Sequence, residues 1–200
     1  MSGPTMLVGC PGSGKTYLAW ELAKADCDRT AYPILVVDTA RVDTFAHLHH
    51  TRSVRETIER VWGAGLTCAY TPESPEEFDR LMQAARAGKK VIIVIDELKN
   101  VLPSVRSMSL PFQMALRLYR HSEIEGVYAT TQCYADAARP LKAVVSDWRF
   151  FRINAGGDRA DIHHDFGVPE ETLAALPSAR ELVQRGEDPM KAHVHIKTGF

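Results

Sequence analysis

The sequence predicts an α/β fold with a mainly parallel central sheet and helices on both faces. Three observations predict it. The stretch "TMLVGCPGSGKTYLAWELAKA" reads as an apolar strand, a glycine-rich turn and a helix. Val91 to Ile95 form an unbroken run of β-branched residues that ends in Asp96 and Glu97. Strand-like runs then alternate with helical patterns along the chain, as strand–helix–strand units require. With 200 residues the chain can bury one sizeable core. It has no repeat, low-complexity stretch or linker, so a single domain over residues 1–200 is expected.

The elements follow in order. After the first strand and helix, Tyr32 to Thr39 ("YPILVVDT") is a continuous apolar run, suited to a parallel strand covered on both faces. "SVRETIERVW" has helical spacing, with Ser53 and Glu56 as a capping box. "LTCAY" is a short strand, and "SPEEFDRLMQAARAG" a helix with Ser74 as N-cap, Pro75 at the first position and Gly88 after the end. Beyond the Val91–Ile95 strand, "LPFQMALRLYRHSE" is a helix leading into "GVYATTQ", where Val127 to Thr130 read as a buried strand ending in Thr131 and Gln132. "WRFFRIN" is a further strand, and "DRADIHHDFG" and "PEETLAALP" are short helices. The tail "ARELVQRGEDPMKAHVHIKTG" reads as two alternating strands joined at "GEDP", a C-terminal β-hairpin.

Composition narrows the function classes. Hydrophobic residues at 45% and charged residues at 24% are ordinary for a globular domain. A net charge of −1 provides no global basic field, so any nucleic-acid contact falls to local loops. No apolar run approaches the ~20 residues that span a membrane. The start, "MSGPTMLVGC", runs directly into a strand, and no secretory leader is expected. Cys10, Cys27, Cys68 and Cys133 form no C-x-x-C pair and read as reduced thiols of a cytoplasmic protein.

Gly9 to Thr16 fit G-x-x-x-x-G-K-[ST] in full, the phosphate-binding P-loop. Its residues Gly9, Cys10, Pro11, Gly12, Ser13, Gly14, Lys15 and Thr16 form the expected nucleotide-binding set. Gly9, Gly12 and Gly14 let the backbone curl so that its N–H groups face phosphate oxygens, and the following helix adds its positive end. Lys15 can reach the β and γ phosphates, and Thr16 can hold Mg²⁺. Asp96 is the second metal-side carboxylate, and Glu97 the general base for an attacking water. The fold is accordingly read as a P-loop NTPase of the RecA-like (ASCE) kind. Ligands in such sheets bind at the carboxyl ends of the strands. Gln132 is therefore expected near the γ-phosphate, where an amide can donate to a phosphate oxygen and accept from water.

The order "GCPGSGKT", "VIIVIDE", "ATTQ", then a strand like "RFFRI", resembles the FtsK–HerA superfamily of DNA-pumping ATPases. The resemblance runs from Thr5 to Gly199 and includes the closing hairpin. It implies that Gln132 is a polar sensor. It also implies a trans-acting arginine finger at Arg120, twelve positions before Gln132, with Arg117 and Arg139 as alternatives. A bare chain of this size is most like the genome-packaging ATPases of tailless viruses with an internal membrane. That likeness implies an ATPase that packages double-stranded DNA into a capsid. It would act with ATP and Mg²⁺ as a homo-oligomeric ring, a hexamer, in the host cytoplasm or at the virion vertex. Capsid or viral membrane proteins would be further partners.

Two other readings stay open: a small-molecule P-loop kinase, and an assembly or export factor that uses ATP as a switch. The adjacent Asp96 and Glu97 favour water as the acceptor over the kinase. Residues 99–121 hold Lys99, Arg106, Arg117 and Arg120 with no acid, a local positive segment for DNA phosphates or an acidic neighbouring subunit. His47, His49 and His50 have no matching acidic or cysteine cluster and read as a solvated or DNA-facing loop ahead of a metal site.

Overall fold

The chain enters through β1 (Thr5–Val8), turns through the glycine-rich loop into α1 (Lys15–Thr30), and returns as β2 (Ile34–Asp38). Next come α2 (Val54–Ile58), extended by a π-helical turn over Glu59–Gly63, then β3 (Cys68–Tyr70), α3 (Pro75–Ala87) and β4 (Val91–Asp96). α4 (Leu110–Arg117), β5 (Ile124–Thr131), α5 (Arg139–Lys142) and β6 (Asp147–Phe150) follow. The chain closes with α6 (Gly156–Phe166), α7 (Glu170–Ala175), α8 (Ala179–Gln184) and β7 (Val194–Lys197). The computed structural model describes residues 4–102, 108–117, 124–137 and 139–198.

One sheet takes all seven strands in the order β3-β2-β4-β5-β1-β6-β7. Every pairing is parallel except β6 with β7. The apolar runs are explained by burial on both faces. Met6 and Val8 enter one apolar cluster with Val37, Ile93, Ile95 and the α3 residues Phe78 and Leu81. Leu7, Val36, Ile92 and Val94 enter the other, with Leu18 and Ala23 of α1 and Leu182 of α8. α/β class, parallel sheet and two-faced helical cover are as the sequence predicts. Ser74 caps α3 by accepting the Glu77 N–H, with Pro75 next in line. Ser53 caps α2 in the same way.

The closing hairpin is a misreading. Residues 179–184 form α8, and the single strand β7 pairs antiparallel with β6. Ser178 and Glu181 make a reciprocal capping box, Ser178 Oγ accepting the Glu181 N–H at 3.2 Å and the Glu181 carboxylate accepting the Ser178 N–H at 2.5 Å. This cap fixes a helix where alternation alone suggests a strand. Among the described residues no helix is long and apolar enough to cross a membrane.

The order of strands decides what meets at the functional edge. β5 lies between β1 and β4, with Val8 in register with Thr131 and Ile95 with Ala129. The strand that ends in Gln132 therefore emerges between the glycine-rich loop and the Asp96–Glu97 pair.

Candidate functional site

The glycine-rich loop curls over the carboxyl ends of β1 and β6. Cys10 donates its N–H to Arg152 O at 2.9 Å, and Gly9 donates to Thr131 O at 3.2 Å. Gly14 caps α1 with φ 107°, and a Cβ there would stand 2.6 Å from Ala179 Cβ. Both its left-handed backbone and its close approach to α8 require glycine. The first N–H groups of α1 point out of this turn, as an anion site needs.

Lys15 is buried and folds back on the loop, donating to Gly9 O at 2.7 Å and Cys10 O at 3.0 Å. Burial lowers its pKa, and the nearby Glu97 carboxylate partly opposes that shift. Thr16 Oγ1 donates to Asp96 Oδ1 at 2.8 Å across the cleft. Asp96 is 4% exposed, and burial raises its pKa against the hydrogen bond from Thr16. A hydroxyl and a carboxylate oxygen held together beside a phosphate-binding loop are a hard-oxygen donor set of the kind Mg²⁺ takes.

Glu97 follows β4 in a left-handed conformation, φ 54° and ψ 78°, unusual for a residue with a Cβ. The turn redirects the chain after Asp96. Burial raises the Glu97 pKa, while hydrogen bonds from the Gln132 side chain and backbone N–H lower it. Its Oε1 is buried and has no hydrogen-bond partner among the described residues. An acceptor in that state is ready to take a hydrogen bond from water.

Lys15, Thr16, Asp96, Glu97 and Gln132 thus line one cleft of about 440 Å³, with Pro11 and Gly12 of the loop. The sequence placed them on separate elements, and the topology brings them together. Arg120 and Arg106 lie outside the described residues, and so does the side chain of Arg139. Arg117 is exposed at the end of α4 and does not line the cleft. The three loop histidines do not converge. His49 meets Glu56 at 3.3 Å, His50 meets Phe45 O at 3.1 Å, and His47 packs edge-on against Trp20.

Two features escaped the sequence reading. Thr130 Oγ1 accepts the Glu97 N–H at 3.0 Å and donates to Asp96 Oδ1 at 3.3 Å. Asn100 donates to Thr39 Oγ1 at 3.0 Å, and Thr39 donates to Asp96 O at 2.6 Å. Threonine is common in strands, so Thr130 carried no signal without the neighbouring strand in view.

A family description, "ATPase family associated with various cellular activities (AAA)", matches residues 5–117. Among solved structures, the chain resembles the genome packaging NTPase B204 from Sulfolobus turreted icosahedral virus 2 in complex with AMPPCP. That likeness has 16% identity, a TM-score of 0.73, and 89% of each chain covered. It also resembles B204, the DNA-packaging ATPase from Sulfolobus Turreted Icosahedral Virus, at 15% identity and TM-score 0.71, with 90% of this chain and 91% of that chain covered. At these identities the likeness is one of fold. No curated protein matches by sequence. The family match includes the phosphate-binding loop, α1 and the Asp96–Glu97 strand end, so the chain belongs to the AAA family and is an ATPase.

Proposed function

We propose that this ATPase is a DNA translocase of the FtsK–HerA kind, one domain per subunit, which packages double-stranded DNA into a viral capsid as a homo-oligomeric ring. The observation that carries the hydrolytic part is the convergence of Glu97 and Gln132 on the cleft that also holds Lys15, Thr16 and Asp96. It sets a neutral amide and a carboxylate side by side, facing the place where a terminal phosphate would lie. The packaging part is supported by the fold shared with B204, described as a genome packaging NTPase and a DNA-packaging ATPase.

In this reading the loop Gly9–Thr16 wraps the phosphates, and Lys15 exchanges its loop carbonyls for phosphate oxygens. Thr16 and Asp96 are the residues that would hold Mg²⁺, which supplies charge neutralisation on the phosphate oxygens. Glu97 accepts a proton from the attacking water. Gln132 lines the same cleft as Glu97, so its amide can report the terminal phosphate to that carboxylate. Arg120, from a neighbouring subunit, stabilises charge in the transition state.

The test is phosphate release with no added acceptor, with and without duplex DNA, followed by displacement of a bound triplex strand as a tracking assay. DNA-stimulated release with strand displacement supports the translocase. Turnover that needs a small-molecule acceptor supports a kinase, and binding without turnover supports a switch.

A further inference from the structure

The cleft holds a second lysine that the roles above do not use. Lys99 lies on the 3-10 turn Leu98–Asn100, which directly follows Glu97, and it lines the same cleft as Lys15, Glu97 and Gln132. From sequence it belonged to a positive segment available to DNA. The fold places it on the cleft that holds the phosphate-binding loop.

Its base is fixed from both sides. Leu98 is buried in the core at 1% exposure, and Asn100 is tied to Thr39. Its ammonium stands 3.5 Å from Asp136 Oδ2, longer than a good charge-assisted hydrogen bond. Asp136 ends the turn Tyr134–Asp136, four residues beyond Gln132, and also lines the cleft. That turn is fixed in its own right, because Tyr134 is buried against Trp148, Phe150 and Phe166. Asp136 Oδ2 is buried and accepts no hydrogen bond among the described residues. The pair is therefore loose while both ends of it are anchored.

Charge shows where the loose ammonium belongs. The described residues lining the cleft include three carboxylates, Asp96, Glu97 and Asp136, and only two cations, Lys15 and Lys99. A triphosphate adds several negative charges to that balance. We propose that Lys99 is a further catalytic residue, which leaves Asp136 and binds the terminal phosphate in its own subunit's cleft. It enters from the Glu97–Gln132 side, where it offsets the negative charge on the equatorial oxygens of the phosphoryl group as water attacks. Without the terminal phosphate it returns to Asp136, and so it distinguishes triphosphate from diphosphate. The inference rests on the cleft being the hydrolytic site proposed above.

The experiment compares wild type, Lys99→Met and Lys99→Arg, with Lys15→Ala and Glu97→Gln alongside. Affinities are measured for ADP and for β,γ-methylene ATP, and phosphate release is measured without DNA. Lys99→Met should keep its ADP affinity and lose about tenfold or more of its preference for the triphosphate analogue, the scale of a hydrogen bond to a charged group. Its DNA-free turnover should fall by a similar factor, and Lys99→Arg should restore much of both. Unchanged preference with unchanged DNA-free turnover overturns the proposal. A loss seen only in DNA stimulation also overturns it and makes Lys99 a DNA contact. Equal loss of ADP and analogue affinity overturns it as well, since the role is then structural. Normal turnover in Glu97→Gln would instead mean that the hydrolytic assignment itself is wrong, a result independent of Lys99.

Discussion

Thr130 holds the backbone of Glu97 from the neighbouring strand, its hydroxyl accepting the Glu97 N–H at 3.0 Å. The same hydroxyl donates to Asp96 Oδ1 at 3.3 Å. One buried oxygen, on a residue 1% exposed, thus binds the Glu97 backbone and the Asp96 carboxylate and supports the left-handed turn at Glu97. Thr130→Val keeps the shape and removes the bond. The buried Glu97 N–H and Asp96 oxygen then lose a partner, a cost of about 1–3 kcal/mol. Thermal melting should show that loss, and kcat should fall while ATP affinity is retained. Thr130→Ser should recover turnover, because it restores the hydroxyl. Equal kcat in the valine and serine variants would show that the bond does not position Glu97.

Glu97→Gln should bind ATP and hydrolyse it about 10²- to 10⁴-fold more slowly, the usual loss for a general base. Burial raises the Glu97 pKa above the ordinary glutamate value. The wild-type rate should therefore fall on acidification through that raised pKa, and the residual rate of the glutamine variant should lack this limb. Stability runs the other way. Between the ordinary and the raised pKa the folded state binds more protons than the unfolded one, so stability drops as pH rises through that window. Glu97→Gln should then melt higher than wild type at neutral pH, and the gap should close below the ordinary glutamate pKa. Melting curves at the two pH values check the sign.

The cleft was legible where spacing carries the chemistry. G-x-x-x-x-G-K-[ST] located Gly9 to Thr16, and an apolar strand ending in two acids located Asp96 and Glu97. Placing Gln132 needed one topological inference, that β5 neighbours the functional strands. The insertion of β5 between β1 and β4 brings it closer than sequence order alone required. What escaped depends on partners far apart in the chain. Thr130 matters through residues 33 and 34 positions away. Lys99 faces the cleft because the turn after Glu97 reverses its direction. The tail failed for a local reason. "ARELVQ" alternates well enough for a strand, yet Ser178 and Glu181 carry the full reciprocal cap, whereas at Ser53 and Glu56 only the serine half of the expected box forms and the Glu56 carboxylate accepts the Arg52 N–H instead.

That cap touches the phosphate-binding loop. Ala179 donates to Ser13 O at 3.1 Å, while Arg152, whose carbonyl accepts the Cys10 N–H, bonds both the Glu181 carboxylate and Leu176 O. Ser178→Ala removes the cap hydroxyl and leaves the Arg152–Glu181 contact in place. It should cost about 1 kcal/mol, or roughly 2–4 °C in melting temperature for a chain of this size, with little change in ATP affinity. Glu181→Ala removes the cap's second half and leaves Arg152 held by Leu176 O alone. It should also melt lower, and in addition weaken ATP binding several-fold as the carbonyl supporting Cys10 loosens. Equal nucleotide affinity in the two variants would mean that α8 does not brace the loop.

The ring proposal is tested most directly through arginine. The described residues lining the cleft supply Lys15 and Lys99 and no arginine. Arg117 ends α4, exposed and away from that cleft, and the chain beyond it leads to β5 at Ile124. β5 then runs toward the functional edge, so α4 delivers the chain to the amino end of the sheet, opposite the phosphates. In the proposed ring, Arg120→Ala should abolish hydrolysis while leaving ATP affinity nearly intact, since arginine fingers supply about 10³- to 10⁵-fold in rate. Lys15→Ala should fail at nucleotide binding. Mixed in one assembly, the first provides sound loops and the second sound fingers, and part of the activity should return at mixed interfaces. Co-assembly is verified by pull-down of differently tagged subunits. Mixed rings that form yet stay inactive would move the role to Arg117 or Arg139, each tested by the same mixing. Full activity of Arg120→Ala alone would remove Arg120 from the mechanism and leave the ring without its proposed link between sites.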